Sequence, residues 1–158
     1  MSADPAPADF ESFEVPAPAR PHRPESATRP IAALAPIRVL VVDDEAPVRE
    51  VIELCLTSDG HAVATAEDGV SGLEEFCAGT WDMVLVDRAM PRMDGEQLAL
   101  EIKRRDPQIP VVLVSGLPGL ARQPGEDGSA IDAVVRKPFT IATLRDGMAR
   151  AQRIHAGS

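Results

Sequence analysis

Between Ile37 and Ala151 the apolar residues follow two alternating spacings. Ile37-Arg38-Val39-Leu40-Val41-Val42, Met83-Val84-Leu85-Val86, Pro110-Val111-Val112-Leu113-Val114 and Ala133-Val134-Val135-Arg136 are short, apolar at nearly every position and rich in β-branched residues. Such runs read as strands, with His61 to Thr65 as a shorter fifth. Between them the spacing turns helical, through Val48, Val51, Ile52 and Cys55, then Val70, Leu73, Phe76 and Cys77, then Leu98, Ala99 and Ile102, and finally Ile141, Leu144, Met148 and Ala151. Gly60, Gly79 and Asp106-Pro107 stand where the first three helices should stop, and Thr140 can cap the last.

Five strands alternating with helices at short spacing predict an α/β fold, a doubly wound five-stranded parallel sheet with helices on both faces. The run at 110–114 has no polar residue, as expected of a strand covered on both sides. One segment resists the pattern. The helix expected between Ser115 and Ile131 is broken by Pro118, Gly119, Pro124, Gly125 and Gly128, so an irregular fourth helix is predicted there.

Composition divides the chain. Residues 1–36 hold eight of the 15 prolines and nine alanines, which predicts a disordered, extended Pro/Ala-rich tail. Within it, Asp9-Phe10-Glu11-Ser12-Phe13-Glu14-Val15 mixes acidic and apolar residues as short docking motifs do. Residues 37–153 are then one domain, and 154–158 a short C-terminal tail. With 25 Asp and Glu against 16 Lys and Arg, the net charge of −9 argues against duplex DNA as a direct partner. No apolar run is long enough for a membrane span, and no leader is evident at Met1, so a cytoplasmic location is expected. Cys55 and Cys77 have no ligand-spaced neighbours and read as small buried apolar residues.

The candidate chemistry lies where the strands end. Asp43-Asp44 follows the first run, Asp87 the third and Lys137-Pro138-Phe139 the fifth. An open parallel sheet presents ligands at the carboxyl ends of its strands, so three carboxylates and an ammonium should converge there. Singly, each piece has an ordinary explanation, since an acidic pair can cap the following helix and Lys-Pro can be a surface turn.

Together, Val41-Val42-Asp43-Asp44-Glu45, Val86-Asp87 followed by Met90-Pro91-Arg92-Met93-Asp94-Gly95, Val114-Ser115-Gly116 and Lys137-Pro138-Phe139 resemble the receiver domain of two-component response regulators. The resemblance covers about 37–153 and implies the flavodoxin-like receiver fold. It implies that Asp87 is the phosphoacceptor, taking a phosphoryl group from a phospho-histidine. Mg²⁺ would be held by Asp44, Asp87 and the main-chain carbonyl of Ala89, with Asp43 holding a metal-bound water. Lys137 would pair with Asp87 and then with the phosphoryl group, and the Ser115 hydroxyl would swing to the same group. In the family the bond before Pro138 is typically cis.

Two positions depart from the pattern. Val134 replaces an aromatic residue that many receivers couple to the Ser/Thr, so signalling is expected to pass through the backbone of 115–130. Ala89 offers no side chain to steer water onto an acyl phosphate. It also weighs against a haloacid-dehalogenase-type phosphohydrolase, which needs an Asp two residues after its nucleophile.

Only 21 residues follow Lys137. The expectation is therefore a stand-alone response regulator of a phosphorelay, catalysing its own phosphorylation and dephosphorylation without a separate output enzyme. Its partners would be a sensor histidine kinase or phosphotransfer protein and a downstream protein bound through the 116–153 face, with Arg136, Arg145 and Arg150 supplying charge. The alternatives are a phosphate sink or relay intermediate for a hybrid histidine kinase, and a degenerate receiver acting as a scaffold. Trp81 would report metal binding by fluorescence only if its ring lies near the acidic residues.

Overall fold

The computed structural model describes residues 35–116 and 129–156. The tail expected over 1–36 and the irregular helix expected between Ser115 and Ile131 fall almost wholly outside these residues. Five strands are present, β1 (Arg38–Val42), β2 (Ala62–Ala66), β3 (Met83–Asp87), β4 (Val111–Ser115) and β5 (Ala133–Arg136). All four pairings are parallel and the order is β2-β1-β3-β4-β5. Four helices accompany them among the described residues, α1 (Ala46–Ser58), α2 (Gly69–Ala78), α3 (Gly95–Arg105) and α4 (Ile141–Ala156).

Strand periodicity sorts the core into two layers. Leu40, Val42, Val84, Val86, Val111 and Leu113 face α2 and α3, meeting Phe76, Leu98, Ala99 and Ile102. Their neighbours Val39, Val41, Met83, Leu85, Val112, Val114, Ala133 and Val135 face α1 and α4, meeting Ile52, Leu56, Leu144, Met148 and Ala151. Every residue of β3 and β4 is buried, as expected of interior strands with no solvent face.

Local chemistry sets the helix ends. Asp68 and Asp94 cap α2 and α3, each accepting from the N–H three residues on, with Ser71 and Gln97 returning the bond in capping boxes. Gly60, at φ 94°, ends α1 in the left-handed region, where a side chain would be strained. Thr140 Oγ1 accepts from Thr143 N–H at 3.1 Å and so starts α4.

The helical faces differ from the sequence reading in rotation. Val51 is 51% exposed and the inward face of α1 is Ile52 and Leu56, while Leu54 also points to solvent. Val70 and Ile141 are each 37% exposed. Cys77 is exposed and Cys55 half-buried, so neither is the buried apolar residue expected. Spacing places apolar residues around more of the helix than one side of a sheet can cover, and packing selects the sector. Helix α4 also runs to Ala156, three residues beyond the boundary set at 153.

Candidate functional site

The strand order reverses direction between β1 and β3, because β2 lies outside β1 while β4 and β5 continue on the other side. A crevice opens at such a switch point. Val42 is level with Val86, so Asp43 follows its strand level with Asp87. Asp87 is level with Val114 and Ser115 with Arg136, so the phosphoacceptor candidate, Ser115 and Lys137 step outward by one residue per strand. Strand β5 lies two strands from β3, roughly 10 Å away at ~4.8 Å per strand, a gap that a long side chain closes. Lys137 does so, with Nζ donating to Asp87 Oδ1 at 3.1 Å. The Lys137-Pro138 bond is cis.

Three carboxylates share this ammonium. Lys137 Nζ is also 3.4 Å from Asp43 Oδ2 and 3.3 Å from Glu45 Oε1. Asp43 and Asp87 are 1% and 5% exposed. Burial pushes the Asp87 carboxyl up to about 6, the neighbouring Asp43 charge adds to this, and Lys137 opposes it. Burial likewise raises Asp43, against the opposing Glu45 N–H bond and Lys137. For Lys137, burial favours the neutral amine, but the Asp87 hydrogen bond and the charges of Asp43 and Asp87 outweigh it and leave the ammonium favoured.

The residues present fit a hard divalent cation. Carboxylate oxygens of Asp43, Asp44 and Asp87 lie within 4.8 Å of one another. Asp43 Oδ2 is buried without a hydrogen bond, a deficit worth about 1–3 kcal/mol for a neutral group and more for a charged one. One ammonium does not neutralise the carboxylates around it, and the donor set is all oxygen, the type Mg²⁺ and Ca²⁺ take. Asp44 and Ala89 are exposed and Ser115 is buried at the end of β4.

The supporting loops are braced by groups that pattern alone did not single out. Asp43 Oδ1 accepts from Glu45 N–H at 2.8 Å, and Arg49 Nη1 donates to the Asp43 carbonyl at 2.6 Å, fixing the acidic pair from α1. Gly95 opens α3 directly behind Asp87, where a Cβ would meet the Asp87 carbonyl oxygen at 2.4 Å and Arg88 Cα at 2.9 Å. Arg92, at φ 71°, pairs with the α2 cap Asp68 and ties the β3–α3 loop to the β2–α2 loop. The motif Met-Asp-Gly carried the signal for Gly95; no spacing rule links Arg49 or Arg92 to its partner.

Other expectations fare differently. Trp81 cannot sense the acidic cluster, because it precedes β3 while Asp87 ends it, six residues or roughly 20 Å along the strand. Its ring lies under Arg38, at the start of β1, with the guanidinium carbon 5.4 Å from the centroid. Arg145 is held by Asp59 through bonds of 2.9 and 2.7 Å, and Arg150 by Asp146 at 3.0 Å, so both are engaged within the domain. Val134 is half-buried against the α2–α3 core layer. The backbone expected to carry the signal in its place lies largely outside the described residues.

Comparison with known proteins agrees with this fold. The model of the response regulator receiver domain matches residues 39–149. The probable transcriptional regulator ycf27 of Guillardia theta is 39% identical over 108 residues, covering 68% of this chain and 42% of that protein. Response regulator MprA of Mycobacterium sp. (strain KMS) is 29% identical over 109 residues, covering 69% and 47%. The chain thus spans less than half the length of these curated relatives. Among solved structures, response regulator TrrA of Thermotoga maritima, in complex with Mg²⁺-BeF, is 31% identical with a TM-score of 0.65, covering 72% of this chain and 97% of that one. A receiver domain protein from Clostridium thermocellum is 28% identical with a TM-score of 0.64, covering 75% and 96%.

Proposed function

The chain belongs to the response regulator receiver family, and from that premise we propose that it accepts a phosphoryl group on Asp87 from a histidine kinase or phosphotransfer protein. The observation that carries the reading is the convergence of Asp43, Asp44, Asp87 and Lys137 from three strand ends on the switch point of the sheet.

In the transfer, an Asp87 carboxylate oxygen forms a bond to phosphorus and the bond from phosphorus to the histidine nitrogen breaks, the imidazole leaving with the electron pair. With an ordinary value displaced to about 6, Asp87 is mostly ionised at neutral pH and competent as nucleophile. Lys137 holds its carboxylate in place and then donates to a phosphoryl oxygen, its compact charge suiting both tasks. Ser115, buried at the end of β4 and one residue beyond the position level with Asp87, supplies a hydroxyl at the same C-terminal edge of the sheet. Mg²⁺, held by Asp44, Asp87, the Ala89 carbonyl and a water on Asp43, would neutralise charge on the phosphoryl group in transfer. That TrrA was solved with Mg²⁺-BeF supports this choice of cation.

The phosphorylated domain then signals through protein partners, with β5 and α4 as part of the contacting face. The charge argument against duplex DNA applies to this chain alone, since the chain matches under half of the transcriptional regulator ycf27 and of MprA. No helix among the described residues is long and apolar enough to cross a membrane.

The test is intact mass after incubation with acetyl phosphate, with and without Mg²⁺. Wild type should gain one phosphoryl group only with the metal, and Asp87→Asn none. Labelling of the Asn variant would remove Asp87 from the role.

A further inference from the structure

Glu45 occupies the N-cap of α1 yet makes no side-chain cap bond. Its own N–H is taken by Asp43 Oδ1, and its carboxylate reaches across the mouth of the site to Lys137, 92 residues away. It is 59% exposed, so water could satisfy it fully, whereas Asp43 Oδ2 is buried beside the same ammonium without a hydrogen bond. An ammonium has three N–H donors. Three carboxylates face these three donors, Asp43 only as an ion pair at 3.4 Å, so an arriving acceptor must displace one of them, and the solvated rim residue holds one.

We propose that Glu45 is a specificity-determining residue that competes with the incoming phosphoryl group for Lys137 and disfavours donors in proportion to their negative charge. The proposal rests on the reading of Asp87 as phosphoacceptor. When a phosphoryl group arrives, Lys137 must turn a donor to it, and Glu45 is the partner most readily given up, because water replaces the lost bond. Until then Glu45 occupies the donor and places a negative charge on the path of an anion. Solvent damps but does not abolish such a field beside two buried carboxylates, and salt screens it. A protein donor can bring cationic groups of its own against Glu45, which a small anion cannot.

Two small donors separate charge from chemistry. With acetyl phosphate, the Asp87 oxygen–phosphorus bond forms as the bond to the acetyl oxygen breaks, and acetate leaves. With phosphoramidate the phosphorus–nitrogen bond breaks and ammonia leaves, its proton already in place. Phosphoramidate carries one negative charge fewer at neutral pH.

The experiment measures phosphorylation rates of the full chain for wild type, Glu45→Gln, Glu45→Asp and Glu50→Gln, in low and in roughly 0.5 M salt. Glu50 is exposed on the same helix and controls for net charge. Glu45→Gln should speed acetyl phosphate by roughly 3- to 10-fold in low salt, phosphoramidate by clearly less, and lose most of the gain in high salt. Glu45→Asp and Glu50→Gln should stay near wild type. Calorimetric titration with Mg²⁺ should give Glu45→Gln an affinity no tighter than wild type. Equal gains for both donors, a matching gain in Glu50→Gln, or Mg²⁺ affinity tightened by the same factor as the rate would overturn the role of Glu45. A wild type that takes no phosphoryl group from either donor would overturn the underlying reading of Asp87 instead.

Discussion

Replacing Asp87 by Asn should make the metal-free domain more stable at pH 7.5. Its carboxyl is displaced from 3.8 to about 6, first by burial and then by the charge on Asp43, with Lys137 offsetting part. That displacement puts a penalty of up to ~3 kcal/mol on the ionised folded form, at ~1.4 kcal/mol per tenfold change in the proton equilibrium. Solvent reaches the sheet edge and screens these charges, which brings the penalty to ~1–2 kcal/mol. The charged bond to Lys137 that Asn loses is already counted in that displacement, and Lys137 keeps Asp43 and Glu45, so a net gain of at least ~1 kcal/mol remains. For a domain of this size that raises Tm by roughly 3–6 °C.

The pH dependence follows from the direction. A carboxyl with a raised value holds more protons folded than unfolded between 3.8 and about 6, so stability falls as pH rises through that window. The advantage of Asn should therefore be complete at pH 7.5 and nearly gone at pH 4. Urea unfolding in EDTA, followed by circular dichroism at pH 7.5, 6 and 4, measures it. An Asn variant no more stable than wild type at pH 7.5, or with an undiminished advantage at pH 4, would refute the reasoning.

Three further outcomes are expected. Gly95→Ala should destabilise by about 1–3 kcal/mol in urea unfolding, because its Cβ presses on the Asp87 carbonyl and Arg88 Cα rather than on a flexible side chain, and phosphorylation should slow with it. Asp44→Ala should weaken Mg²⁺ binding at least tenfold by calorimetry while leaving Tm in EDTA at or above the wild-type value, since Asp44 is exposed and contributes charge to a crowded acidic cluster. His61 is buried with Nδ1 accepting from Ile37 N–H at 3.1 Å, and burial lowers its proton affinity against a smaller opposing pull from Asp59. Its contribution should be complete above pH 6.5 and be lost as pH falls through the lowered folded value, so the urea midpoint difference between wild type and His61→Gln should shrink on acidification.

How much was legible in the chain depended on range. Runs such as Val111 to Val114 are apolar without interruption, and burial on both faces follows from that alone. Asp43, Asp44, Asp87 and Lys137 could be placed at strand ends because strand termini are local events, and the parallel α/β pattern sends those ends to one edge. What local order leaves open is rotation and partnership. The spacing through Val48, Val51, Ile52 and Cys55 suits several helical faces, and only the packing of α1 on Val39, Val41, Met83 and Leu85 turned Ile52 inward and left Val51 in water. Arg145 reads as a free surface charge until Asp59, 86 residues away, is brought against it. Glu45 is merely the third acidic residue of a motif until the order β1-β3-β4-β5 carries Lys137 back across the sheet to it. Backbone preference and hydrophobic period act over a few residues and are written in the chain, whereas the partner of a charge is decided by strand order and register, which arise only when the two core layers close.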